Sequence, residues 1–171
     1  MTAIHVPQPF QHKKNLFNII SWTALLVGTL DIISAIIKFY IEEGKGPTPL
    51  FKYIASGVFG KDAFAGGKLM ITWGIVFHYM IAFFFTLVFF LVYPMMIKWF
   101  KNKIITGIVY GMVTWMLMNL IVVPLSNVPS PAFDLGQAII AAVILICMTG
   151  IPVALIAEWY YDREKNAPGW S

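Results

Sequence analysis

Three side chains carry chemistry that their surroundings do not explain: the carboxyl of Asp31, the imidazole of His78 and the amide of Asn119, each set in a long apolar run. An intramembrane carboxylate costs roughly 2.5 to 3.5 kcal/mol on insertion scales, so its presence needs a reason. Histidine titrates near neutral pH. An acid and an imidazole at one depth could share or relay a proton, or could form a static buried pair that holds two helices in register. A buried amide needs hydrogen-bond partners, for which an interhelical contact is the plainer reading and ligand contact the sharper one.

The elements that must position these groups are helices of bilayer length. About 20 apolar residues cross some 30 Å of hydrocarbon. Four segments qualify, at about 16–41, 69–93, 104–125 and 136–160, which predicts an all-α integral membrane four-helix transmembrane bundle in a single domain. A polar tail over 1–15 precedes them and a second tail over 161–171 follows. Gly44 to Pro49 reads as a turn, and Leu50, Phe51, Ile54 and Val58 recur at helical spacing, which predicts a short interfacial helix over 50–59. Asp134 and Gln137 stand at capping-box spacing for the fourth helix, and Gly150-Ile-Pro152 predicts a kink in it.

Small residues mark where membrane helices approach one another. In the first span Ser21, Ala24, Gly28, Asp31, Ala35 and Lys38 share one stripe; in the second, Gly74 and Ala82 flank His78 at four-residue spacing. Gly107, Gly111 and Thr114 do the same in the third span, and Gly150 with Pro152 shapes the fourth. Gly28, Gly74, Gly111, Gly150 and Pro152 are therefore the expected helix-packing positions. Asp31 lies ten residues before Ile41 and His78 nine after Leu69. At about 1.5 Å per residue both sit roughly 15 Å below one surface, level with each other if the helices are antiparallel neighbours.

Composition excludes much else. The chain is 59% hydrophobic and 12% charged, whereas soluble domains carry about one quarter charged residues. The net charge of +4 is spread over the short segments between spans, which reads as loop bias and not as a nucleic-acid surface. One cysteine, Cys147, sets aside a disulfide framework and reads as packing. Gly67-Lys68 fails the phosphate-binding loop pattern, because Asp62 and Leu69 occupy its first glycine and its Ser/Thr position. Bis-histidine haem ligation lacks a second imidazole in the spans, since His5 and His12 are in the tail. Met80, Met112, Met116 and Met118 read as gap fillers in preference to copper ligands. No metal site, cofactor or catalytic motif is expected.

Taken as a set, Tyr53-Ile-Ala-Ser56-Gly57, Ala63-Phe64-Ala65-Gly66-Gly67, Gly74 with His78 and Ile81-Ala82, Met118-Asn119 with Val122-Val-Pro124-Leu-Ser126, and Gly150-Ile-Pro152-Val-Ala-Leu155 carry a likeness. From about Gly28 to Leu155 the chain resembles a family of small bacterial four-span inner-membrane proteins without an assigned function, distantly YagU-like. The resemblance implies a fold and a location but no chemistry. Where the family pattern has a further histidine ahead of the Gly-x-Pro motif, this chain has Leu145 and Ile146, so no paired-histidine site is implied.

The residues lead to a protein whose polar cluster of Asp31, His78 and Asn119 serves proton-coupled or small-solute movement in an oligomer. Two alternatives stand beside it: a structural or accessory subunit of a membrane complex, and a lipid- or quinone-interacting enzyme. The bilayer is the expected partner, with a second copy or another membrane protein, and no nucleic acid. Lys13, Lys14, Lys98, Lys101, Lys103, Arg163 and Lys165 gather on one side, against Lys45, Lys52, Lys61 and Lys68, with Lys38 at the helix end. The positive-inside rule then places both termini in the cytoplasm of a bacterial inner membrane. A periplasm-dependent reporter fused after Ser171 should remain silent, and the thiol of a Lys45→Cys variant should react with an impermeant reagent in intact cells. A bright reporter, or a thiol at that position protected from the reagent, would reverse the topology.

Overall fold

The computed structural model describes residues 9–129 and 134–165, with side chains from Leu16 to Pro129 and from Asp134 to Arg163. The expected tails over 1–15 and 161–171 and the turn before Asp134 lie partly outside the described residues. Every regular element described is helical. Four stretches are long and apolar enough to cross a bilayer: Leu16–Glu43, Lys68–Phe100, Lys103–Leu125 and Leu135–Arg163.

The first long helix, α1 (Pro9–Glu43), starts ahead of the sequence-based boundary at Leu16. Proline is tolerated at a helix start because its missing N–H has no intrahelical partner there. At the other end Gly44 takes φ +64° and its N–H closes on the Tyr40 carbonyl at 2.9 Å. Two short helices follow, α2 (Thr48–Phe59) and α3 (Asp62–Ala65). The second long helix is α4 (Lys68–Phe100). The third comprises α5 (Lys103–Leu117), a π turn over Met118–Val122 and α6 (Val123–Leu125). The fourth comprises α7 (Leu135–Leu145), a π turn over Ile146–Gly150 and α8 (Ile151–Lys165). Caps fix both starts: the Asn102 carboxamide oxygen accepts from Ile104 N–H at 2.8 Å, and the Asp134 carboxylate accepts from Gln137 N–H at 2.9 Å.

The long helices run alternately up and down. α1 packs on α4, α4 on α5, α5 on α8, and the fourth long helix returns to α1. The closed core sits where α1 begins and α8 ends, built from Ile20, Val27, Phe89, Phe90, Tyr93 and Tyr110 with Val153, Ala154, Ala157 and Tyr160. At the opposite end the third and fourth long helices expose broad apolar faces, among them Leu120, Leu125, Leu135 and Ile139. There α2 fills in against α4. Ala55 and Ser56 of α2 are fully buried, and a Cβ at Gly74 would run into the Phe51 carbonyl, so the two backbones touch directly. Asn127 then secures the end of α2, its N–H bonding the Gly57 carbonyl at 3.1 Å.

Prolines inside the long helices are handled in two ways. Pro124 and Pro152 each stand two places after a π turn, where Val123 N–H reaches Met118 O and Ile151 N–H reaches Ile146 O. A proline ring collides with the carbonyl four residues back, and the widened turn gives that carbonyl room. The kink expected at Gly150-Ile-Pro152 thus takes the form of a π turn.

Pro94 is different. The apolar pattern ends the second span at Tyr93, yet α4 continues through Pro94 to Phe100. The physical reason is a donor from another helix: Pro94 cannot serve the Phe90 carbonyl, and the Tyr161 hydroxyl of α8 donates to it at 2.7 Å. Tyr161→Phe should therefore destabilise the protein by about 1 to 3 kcal/mol, the cost of stranding a buried carbonyl. In a Pro94→Ala background, which restores the N–H, the same change should cost at least about 0.5 kcal/mol less in detergent unfolding. Equal costs in both backgrounds would remove Tyr161 from this role.

Candidate functional site

The crossing of α1 and α4 is built on a missing side chain. A Cβ at Gly28 would stand 3.0 Å from the Cβ of Ala82 and 3.2 Å from the Tyr79 ring, so glycine lets the helices close. That closeness exposes the Gly28 carbonyl to α4. His78 Nε2 meets its oxygen at 2.8 Å. A carbonyl can only accept, so Nε2 carries the hydrogen and Nδ1 is left for another partner. Alongside, the Thr29 hydroxyl donates to the Leu25 carbonyl at 2.7 Å, which leaves its oxygen to accept from the Tyr79 hydroxyl at 2.9 Å.

Asp31 follows one turn after Gly28 on the same face of α1. It is half-buried and within electrostatic reach of His78. It makes no hydrogen bond or ion pair with the described residues. This is an unusual state for a carboxyl in the middle of a long apolar helix. Most buried carboxylates are paired or bonded, because an unserved charge is costly.

Asn119 stands apart. Its side chain is exposed on the first π turn, and Nδ2 donates to the Trp115 carbonyl of its own helix at 2.9 Å. No hydrogen bond among the described residues joins it to Asp31 or His78. Of the three residues expected to cluster, Asp31 and His78 stand within electrostatic reach of each other, and Asn119 bonds within its own helix. The reason is local: the amide closes on the carbonyl one turn back, as a short polar side chain in a helix readily does. Cys147, read as packing, is exposed.

The packing glycines divide among different seams. Gly28 faces α4 and Gly74 faces α2, whereas Gly111 and Gly150 belong to the seam between the third and fourth long helices. There a Cβ at Gly107 would stand 2.7 Å from the Gly150 carbonyl oxygen, and one at Gly111 2.9 Å from the Ile146 Cα. Pro152 lies half-buried just beyond this contact.

Sequence reasoning missed the donors that cross between helices. Tyr110 bonds the Phe85 carbonyl at 2.6 Å and Tyr161 the Phe90 carbonyl, and Tyr79 bonds Thr29. Tyr110, set between Gly107 and Gly111, carried a signal in its neighbours; Tyr161, near the end of the apolar stretch, carried none. Among the described residues no group of three His, Cys, Asp or Glu side chains converges on a metal position. Compared with known protein families, curated proteins and solved structures, the chain matches none.

Asp31→Asn, His78→Phe and the double variant form a cycle in detergent unfolding. His78→Phe should cost more than Asp31→Asn, because it also removes an interhelical hydrogen bond, the second that the Gly28 carbonyl accepts beside the one within its own helix. The two changes should depart from additivity by about 0.5 to 3 kcal/mol. Additivity within about 0.5 kcal/mol would mean that the two groups do not interact.

Proposed function

We propose that the chain is a multi-pass protein of a bacterial inner membrane, with both termini cytoplasmic, in which Asp31 and His78 exchange a proton during proton-coupled movement of a small solute. The observation that carries this reading is the state of Asp31. It lies within electrostatic reach of the His78 imidazole, near the middle of α1, and its oxygens are bonded to no described group. A carboxyl kept only to pin helices together is expected to be bonded, since the pin is the bond. One left open suits a group that takes up and releases a proton or a cation. A single four-helix unit offers little room for a path, so the working form is proposed to be an oligomer. The likeness to small bacterial four-span proteins, distantly YagU-like, agrees with this setting.

A second reading is favoured by a different observation. The bonds from His78 to the Gly28 carbonyl and from Tyr79 to Thr29 fasten α1 to α4, as an accessory subunit of a membrane complex would require. Reconstitution separates the two. In liposomes with an imposed pH gradient and an internal pH-sensitive dye, the wild-type protein should accelerate proton entry. Asp31→Asn should reduce the rate at least about tenfold, a barrier change near 1.4 kcal/mol, with its helical content unchanged. A silent wild-type protein, or an Asp31→Asn variant as active as wild type, would leave the accessory reading.

A further inference from the structure

An open groove of about 600 Å³ lies where α5 begins and α8 ends, lined by Lys103, Leu155, Glu158, Trp159, Asp162 and Arg163. Both long apolar stretches terminate here, the third starting at Lys103 and the fourth ending at Arg163. In the membrane reading proposed above, on which this inference rests, the groove opens at the water boundary of the cytoplasmic leaflet. Leu155, Trp159 and Arg163 follow one another at four-residue spacing on α8, so an apolar contact, an aromatic ring and a cation line up from hydrocarbon toward water. Leu155 is 41% and Trp159 52% exposed, large areas for an apolar and an aromatic side chain.

The charges alternate in a definite way. The Lys103 ammonium pairs with the Glu158 carboxylate at 2.6 Å, and the Arg163 guanidinium sits 4.7 Å from the centre of the Trp159 ring. Among the described lining residues Lys103 and Arg163 are cationic and Glu158 and Asp162 anionic, so both signs are present in equal number. An anionic headgroup would gain from the cations and lose to the acids. A ligand that carries both signs meets both.

We infer that this groove binds the headgroup of a zwitterionic phospholipid bearing a primary ammonium. The phosphodiester lies between Lys103 and Arg163, whose donors suit phosphate oxygens. The ammonium turns to the Glu158 carboxylate. The glycerol and one acyl chain pass over Trp159 and Leu155 into the bilayer.

Native mass spectrometry of the purified full-length protein tests this in micelles holding equimolar phosphatidylethanolamine and phosphatidylglycerol of the same acyl chains. One phosphatidylethanolamine should be retained, about tenfold in preference to phosphatidylglycerol. Arg163→Gln and Glu158→Gln should each lower that retention, while Lys45→Gln, at the far end of the bundle, should not. Circular dichroism of each variant guards against loss of fold, and either groove variant that stays helical suffices. Equal retention of the two lipids, a preference for phosphatidylglycerol, or retention unchanged in a folded groove variant overturns the inference and leaves the groove a surface ion-pair network. Alkaline carbonate extraction of membranes is run separately. A chain released by carbonate sinks the membrane reading itself, whereas a membrane-embedded chain without lipid preference sinks only the headgroup site.

Discussion

A buried backbone carbonyl must find a donor, and the way this bundle carries its in-helix prolines is arranged around that requirement. Three of its interhelical hydrogen bonds end on carbonyl oxygens: His78 on Gly28, Tyr110 on Phe85 and Tyr161 on Phe90. Gly28 and Phe85 lie within unbroken helical turns whose own N–H groups serve them, so His78 and Tyr110 add a second bond there. Tyr161 serves a carbonyl that Pro94 leaves without a donor, and so avoids a loss larger than a typical hydrogen bond contributes. Pro94 shows the logic most directly, because the bond it removes within α4 is replaced from α8. Pro124 and Pro152 reach the same end by widening the helix. A proline is compatible with a long apolar helix when its neighbourhood carries one of these two remedies.

Small residues set how far each pair of helices can close, and they do so unevenly. Gly107, Gly111 and Gly150 bring backbones into direct contact between the third and fourth long helices, and Gly28 lets α1 close on side chains of α4. Aromatic rings fill the end where the chain begins, with Phe89 and Tyr110 at 4.5 Å between ring centres and Tyr93 stacked on Tyr161 at 5.6 Å. Dense packing there holds the bundle together. Toward the other end the third and fourth long helices show their sides, and α2 braces α4 alone. Asp31 sits where the closed core gives way to this looser half, half-buried on the same face as the fully buried Val27.

Residue spacing made the four long helices legible because length and apolarity are summed over many positions and survive local exceptions. Gly28, Gly111 and Gly150 were legible as close contacts for a related reason, since a small residue at helical spacing has few other uses in such a helix. The partner of each contact was not. Nothing local distinguishes Gly74, which meets α2, from Gly28, which meets α4. Continuation of α4 beyond Tyr93 was hidden because it depends on Tyr161, a residue far along the chain. Asn119 was grouped with Asp31 and His78 by chemical type alone, and the direction in which a helix turns its side chain depends on the π turn that holds it.

The helix contact made by His78 and the proton exchange proposed for it need not compete, because they fall on different atoms. Nε2 is committed to the Gly28 carbonyl, which can accept a hydrogen bond but cannot carry a proton onward at ordinary pH. Any exchange must therefore use Nδ1, and the carboxyl within electrostatic reach is Asp31. The ring is held in one orientation by the first nitrogen, and the proposed exchange falls to the second. In the proposed exchange, a proton on Nδ1 would leave the helix contact in place and change the field at Asp31. A signal carried by such a pair would be a charge inside the bundle, with no helix movement required to create it.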